Sequence, residues 1–183
     1  MDAIEKHISG GSLACLQALR RRAMDGALPI YLVGGPVRDA LLGASLKDLD
    51  FAVEGDAPAV ARELAGEVGG RVLTHPQFGT ATLLLADCRV DLATARQELY
   101  PHPGALPLVA PGAISDDLSR RDFSINCLAL PLAERHPQVL DPHGGVGDLE
   151  QGLVRTLHRN SFVDDATRIF RAVRYEQRLG FRI

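Results

Sequence analysis

Residues 30 to 55, IYLVGGPVRDALLGASLKDLDFAVEG, restrict the fold more than any other stretch of the chain. IYLV is too short for a helix and stops at Gly34-Gly35, so it is predicted as a buried strand. In PVRDALLG the proline suits a first helical position and Gly43 closes the segment, which predicts a short helix. DLDFAVEG then reads as a second strand, with Asp48 and Asp50 projecting to one face while Leu49 and Phe51 turn to the core. For these parts to act together, the second strand must fold back beside the glycines.

The remaining pattern extends this unit into an α/β (α+β) domain. SLACLQALRRRAMD (12–25) predicts an amphipathic helix with cations in its last turn. DAPAVARELAGEVGG predicts another, with Asp56 as N-cap and Gly69-Gly70 as its stop. RVLTH, GTATLLLA and RVDLATA predict three strands, the last two joined through Asp87-Cys88 in a hairpin. YPHPGALPLVAPGA (100–113) holds four prolines and is read as an irregular loop. SDDLSRRDFSINCLALPL (115–132) is expected to be a helix capped by Ser115. The stretch 140–158 is expected to be a turn-rich connector, and DDATRIFRAVRYEQRLGF (164–181) a strongly amphipathic helix.

Composition sets the class. With 183 residues, 46% hydrophobic and 23% charged, the chain can bury a core of its own. It has no apolar run of about 18 residues, and its N-terminus is acidic where a signal peptide is basic, so the expectation is a cytoplasmic protein with no membrane partner. Cys15, Cys88 and Cys127 are scattered and form no CxxC pair, which predicts reduced, mostly buried thiols rather than disulfides or zinc. A formal charge of −3 does not announce a nucleic-acid binder, yet the C-terminal end is locally basic.

Several residues carry chemistry in combination. Asp48 and Asp50 on one strand face would stay ionised together most readily around a cation, and carboxylates plus phosphate oxygens are what Mg²⁺ receives. Alone, a D-x-D is equally a solvated strand edge. Asp91 faces the same cleft if its strand neighbours theirs, and three acids could then hold a two-metal site for phosphoryl transfer. Gly34 and Gly35 open a helix where backbone N–H groups favour an anion, and Arg38 could fork onto a phosphate, although Asp39 beside it offers a local ion pair. In RRDFSIN, Asp122 and Asn126 would share a helix face with Arg121 at its rim; a solvated charged face is the simpler alternative. At about 100° per residue, Arg168, Arg171, Arg174 and Arg178 form one stripe of the last helix, with Ala166, Ile169, Phe170 and Val173 on another. The stripe repels itself unless something anionic lies against it, and Asp165 with Arg168 offers acceptors and donors to a base edge; read alone, the helix is equally a solvated basic face with one local ion pair.

In order, GGPVRD, DLD, VDLATARQE, RRDFSIN and DDATRIFRAVR resemble the tRNA nucleotidyltransferase and bacterial poly(A) polymerase family, on the class II side of CCA-adding and A-adding enzymes. The resemblance runs from about residue 28 to the end. It implies a polymerase-β-like nucleotidyltransferase head, a small mixed sheet with flanking helices over residues 1–157, followed by the start of a helical neck at 158–183. It further implies catalytic Mg²⁺ on Asp48, Asp50 and Asp91, and a triphosphate on Gly34, Gly35 and Arg38. Ribose and phosphates would be positioned by Arg121, Asp122 and Asn126. The base would pair with Asp165 and Arg168, with Arg171 and Arg174 nearby supporting that template or the phosphates.

The implied partners are ATP or CTP and the 3′ end of tRNA, the latter gripped mostly by regions beyond this chain, so that the portion in hand would bind nucleotide without elongating RNA. A poly(A) polymerase acting on RNA generally, and a non-catalytic nucleotide- or RNA-binding fragment, are the alternatives. Ser124, Cys127 and Asp164 stand where the family more often has threonine, alanine and glutamate.

Overall fold

Several apolar runs of the chain become elements whose ends are set by glycine, proline or a capping carboxylate, as at Gly34 after the first strand and Asp56 before the fourth helix. The structure is a computed structural model that describes residues 2–8, 10–26, 28–46, 48–99, 101–102 and 108–183. In chain order it contains α1 (Asp2–Glu5), α2 (Gly10–Met24), β1 (Ile30–Val33), α3 (Gly35–Leu41), β2 (Leu49–Val53), α4 (Ala57–Val68), β3 (Arg71–His75), β4 (Thr80–Leu84), β5 (Arg89–Thr94) and β6 (Arg96–Leu99). These are followed by β7 (Leu108–Pro111), α5 (Ile114–Ser119), β8 (Ala129–Pro131), α6 (Gly145–Gln151), α7 (Ser161–Asp164) and α8 (Thr167–Leu179).

Six strands form one mixed sheet in the order β3-β4-β5-β2-β1-β8. Only β2 and β5 run parallel, because α4 and the β3-β4 hairpin intervene between them. The alternation seen in sequence holds: Leu49, Phe51 and Val53 of β2 and Val90 and Leu92 of β5 enter the main core with Leu16 and Leu19 of α2 and Leu64 of α4. Ala52 and Val33 turn to the other face and meet Leu118 of α5 and Ala129 of β8. Asp50 and Asp91 alternate with the core residues, so they also belong to this second, less covered face. Asp56 caps α4 by accepting from the Ala59 N–H at 3.0 Å, and Leu85 N–H donates to the Cys88 carbonyl at 3.0 Å to close the expected hairpin. Cys15, Cys88 and Cys127 are all free thiols; burial, the leading cause for each, raises the first and last to about 12.

Five expectations are corrected. The helix expected over 115–132 ends at Ser119; a 3-10 turn over Ser124–Asn126 and strand β8 take its place. Its cap is the Asp116 carboxylate, which accepts from Ala113 N–H at 2.9 Å, and not Ser115. Of the expected loop 100–113, residues 100 and 103–107 lie outside the described residues, while Leu108–Pro111 form β7 and pair antiparallel with β6. The expected connector contains α6, because both Asp141 carboxylate oxygens accept from the N–H groups of Gly145 and Val146. The last helix begins at Thr167, after a separate turn at α7.

Candidate functional site

Strand register assembles the acids. In the parallel pair β2-β5, Asp50 lies directly opposite Asp91, and Asp48 is exposed just before β2 begins. The antiparallel register Leu32↔Phe51 brings the Gly34-Gly35 turn to the same end of β2. Gly34 adopts φ 69° and ψ −125°, and a Cβ at this position would come within 2.6 Å of Arg121 Nη1. Only glycine allows both the backbone and the guanidinium that lies against it.

The carboxylates differ in their surroundings. Asp91 accepts from Thr82 Oγ1 at 2.5 Å through one oxygen and from Arg89 Nη2 at 2.8 Å through the other. Asp48 and Asp50 have no hydrogen-bond or ion-pair partner among the described residues. Burial, reinforced by the Asp91 carboxylate, raises Asp50 to about 6 against the pull of Arg121 and Arg89. Among the described residues no three His, Cys, Asp or Glu side chains converge closely enough to hold a metal ion. An open Asp48-Asp50 pair with one acid held partly protonated nevertheless fits a hard cation, which would relieve that repulsion. Asp91 fits less directly, since Arg89 and Thr82 occupy its oxygens.

A cleft of about 910 Å³ opens over this face and is lined by every predicted site residue except Gly34 and Asp91. Asp122 and Asn126 do come together, although through a turn: Asn126 Nδ2 donates to Asp122 Oδ1 at 2.9 Å. The other Asp122 oxygen accepts from Arg171 Nε at 2.7 Å and Nη2 at 2.6 Å. Arg38 is fully buried; it donates to Asn126 Oδ1 at 2.5 Å and Asp39 Oδ1 at 2.8 Å, and stacks 5.1 Å from the Tyr175 ring centre. Arg168 is also buried, donating to Ser161 Oγ at 2.7 Å and the Arg120 carbonyl at 3.1 Å. Its Nε is 3.9 Å from Asp165 Oδ2, while Asp165 Oδ1 accepts from Thr167 N–H at 2.9 Å.

The arginine stripe of α8 therefore faces the domain, and its anionic neighbours are partly the protein's own. Arg171 meets Asp122 and Arg178 meets Asp39 at 3.0 Å. Arg174 lines the cleft with no hydrogen-bond or ion-pair partner among the described residues. Ile169, Phe170 and Val173, the apolar set, are exposed.

Sequence reasoning missed Asp117, Arg120, Glu98 and Tyr175. Asp117 was findable, since Arg120 and Arg121 follow it at the helical spacings i+3 and i+4. Glu98 meets Arg120 at 2.9 Å across 22 residues, and Tyr175 reaches Arg38 from a distant helix, so neither left a local signal.

The model of the poly(A) polymerase head domain matches residues 30–155. The A-adding tRNA nucleotidyltransferase of Geobacter sulfurreducens is 46% identical over 182 residues, covering 98% of this chain and 21% of that protein. The CC-adding tRNA nucleotidyltransferase of Deinococcus radiodurans is 47% identical over 168 residues, covering 91% of this chain and 45% of that protein. A solved CCA-adding enzyme of Thermotoga maritima, complexed with tRNA-CCA, superposes with TM-score 0.83 at 38% identity, over 100% of this chain and 41% of that one. The chain thus spans less than half the length of each of these relatives.

Proposed function

Because the chain belongs to the poly(A) polymerase head-domain family, we propose that it is the nucleotide-transferring part of an RNA nucleotidyltransferase that adds AMP or CMP, from ATP or CTP, to the 3′ end of tRNA. The observation that carries this reading is one cleft joining the Asp48-Asp50 pair, which has no hydrogen-bond or ion-pair partner among the described residues, to a glycine turn and the arginines of α8. The A-adding, CC-adding and CCA-adding activities of the relatives lend it support. Residues 1–157 would form the head and 158–183 the start of a helical neck. No helix among the described residues is long and apolar enough to cross a membrane, in keeping with action in the cytoplasm.

In this reading the RNA 3′-hydroxyl oxygen bonds to the α-phosphorus as the bond to the β-phosphate oxygen breaks. Pyrophosphate leaves and the hydroxyl proton passes to solvent. Asp48 and Asp50, with Asp91 as third carboxylate once Arg89 releases it, would hold Mg²⁺, which lowers the cost of charge on the attacking and leaving oxygens. The Gly35 N–H, with Arg121, Arg171 and Arg174, binds the triphosphate, and Gly34 shapes the turn beneath it, its own N–H being taken by the Leu128 carbonyl at 2.9 Å. Arg38 supports that site from beneath, since its guanidinium is committed to Asp39 and Asn126. Asp122 and Asn126 face the ribose, and Asp165 with Arg168 presents acceptors and donors to the base.

The test is nucleotide addition by the whole protein on a tRNA lacking CCA, one ending in CC, and an unstructured RNA, each with ATP or CTP alone. Extension of a tRNA, lost by about 100-fold or more in Asp48→Ala and Asp50→Ala, is expected. Equal extension of the unstructured RNA with ATP would instead identify a general poly(A) polymerase. Binding of Mg²⁺-ATP without any addition would identify a non-catalytic binding module.

A further inference from the structure

One carboxylate outside the cleft organises two of its arginines. Asp117, on α5, is 1% exposed. Its Oδ1 accepts from Arg120 Nε at 3.0 Å and also from Arg120 Nη2. Its Oδ2 accepts from Arg121 Nε at 3.2 Å and Nη2 at 2.8 Å. Each guanidinium is therefore gripped along one edge, and each presents its remaining Nη1 in a defined direction. Arg121 Nη1 points over the Gly34 turn, and among the described residues a long 3.4 Å contact to the Asn126 carbonyl is its one hydrogen bond. Arg120 Nη1 donates to Glu98 Oε1 at 2.9 Å, and Glu98 in turn takes Arg96 Nη2 at 2.8 Å.

We propose that Asp117 is a positioning residue of this site, the buried anchor that aims Arg121 at the triphosphate over the glycine turn and ties Arg120 to Glu98. The inference rests on reading the cleft as a triphosphate site. Two adjacent arginines just past the end of a short helix repel and would splay into solvent without a shared anion between them. A buried carboxylate is costly unless it is paired and fully hydrogen-bonded, and here four guanidinium N–H groups complete it. Although burial pushes Asp117 up, the Arg121 and Arg120 guanidiniums outweigh it and hold the carboxyl below its usual range, so the anchor stays charged. Asp117 does not itself line the cleft, and Arg120 is turned to Glu98, so its effect on a triphosphate over the glycine turn passes through Arg121.

The experiment uses the whole protein. Calorimetry gives Kd for Mg²⁺-ATP and for inorganic tripolyphosphate with Mg²⁺, and steady-state assays give kcat and KM for ATP at saturating tRNA. Asp117→Asn is expected to raise Kd for both ligands and KM for ATP about tenfold, with kcat changed less than about threefold. Arg121→Ala should give a similar loss, and the double variant should lose no more than about threefold beyond Arg121→Ala. Affinities within about twofold of wild type in a folded Asp117→Asn, or losses that multiply in the double variant, overturn the proposal. Where Asp117→Asn fails to fold, Asp117→Glu keeps the charge and displaces Arg121 by a methylene, and an unchanged ATP affinity there overturns it equally. A wild-type protein that binds neither ligand overturns the functional reading itself, before any variant is made.

Discussion

Asp50 lies against Asp91 across two parallel strands, and this proximity makes the fold sensitive to pH. Burial and Asp91 raise Asp50 from the ordinary carboxylate value to about 6. The folded state therefore binds this proton more tightly than the unfolded chain does. Stability from this group is full below about pH 4, falls as pH rises towards 6, and stays low above it. Asp50→Asn removes the titration while keeping the shape of the side chain. At pH 7 without divalent cations it is expected to be more stable than wild type by on the order of 1–3 kcal/mol, and at pH 4 equal to it. Denaturant melts at the two pH values measure this. A constant difference between the variants would remove Asp50 as the source, and Mg²⁺ should narrow the gap at pH 7 by binding the charged form.

Among the elements, α8 separates structural from available charge. Arg171 completes Asp122, which is 7% exposed, whereas Arg174 has no hydrogen-bond or ion-pair partner among the described residues. Arg171→Met leaves a largely buried carboxylate short of its cation and should cost about 1–3 kcal/mol. Arg174→Met should stay within about 0.5 kcal/mol of wild type yet weaken Mg²⁺-ATP or RNA binding. Urea denaturation beside a binding titration distinguishes the two; equal destabilisation would show that Arg174 is held by the fold.

The same contrast explains what could be read in advance. Strands β1, β2 and β5 and helix α4 follow local alternation, glycine stops and the Asp56 cap, so they were legible, and with them the place of Asp48, Asp50 and the glycine turn. The helix expected through RRDFSIN was not. Asp122 Oδ1 takes the Phe123 N–H at 2.9 Å, and Ser124 N–H goes to the Arg155 carbonyl at 2.9 Å, so local side-chain bonding and a distant partner displace the helical ladder. Strand β7 was hidden because the four prolines of 100–113 read as a loop, although Pro111 sits at the end of a strand that, among the described residues, pairs on one side with β6 and on the other with no strand.

At the scale of the molecule, the cleft crosses the boundary proposed between head and neck. The matched family stretch ends at residue 155, yet Asp165, Arg168, Arg171, Arg174, Tyr175 and Arg178 all line the cleft. Eight arginines and six carboxylates among the described residues meet there, which is why a chain of formal charge −3 gave little compositional sign of an anion site. The six-stranded sheet is complete by Pro131 and its core rests mainly on α2 and α4, so a chain ending at residue 157 retains what it needs to fold. It loses the Arg171 and Arg178 ion pairs, the Tyr175 ring packed edge-on to Phe123 at 5.7 Å, and the Arg182 backbone bonds to Gly152 and Val154. Such a chain is expected to melt roughly 5–10 °C lower and to bind Mg²⁺-ATP at least about tenfold more weakly than residues 1–183. Calorimetric melting and titration of the two lengths decide it. If the shorter chain binds ATP as tightly, α8 contributes nothing to the nucleotide site, and its arginines face the domain only to neutralise Asp39 and Asp122.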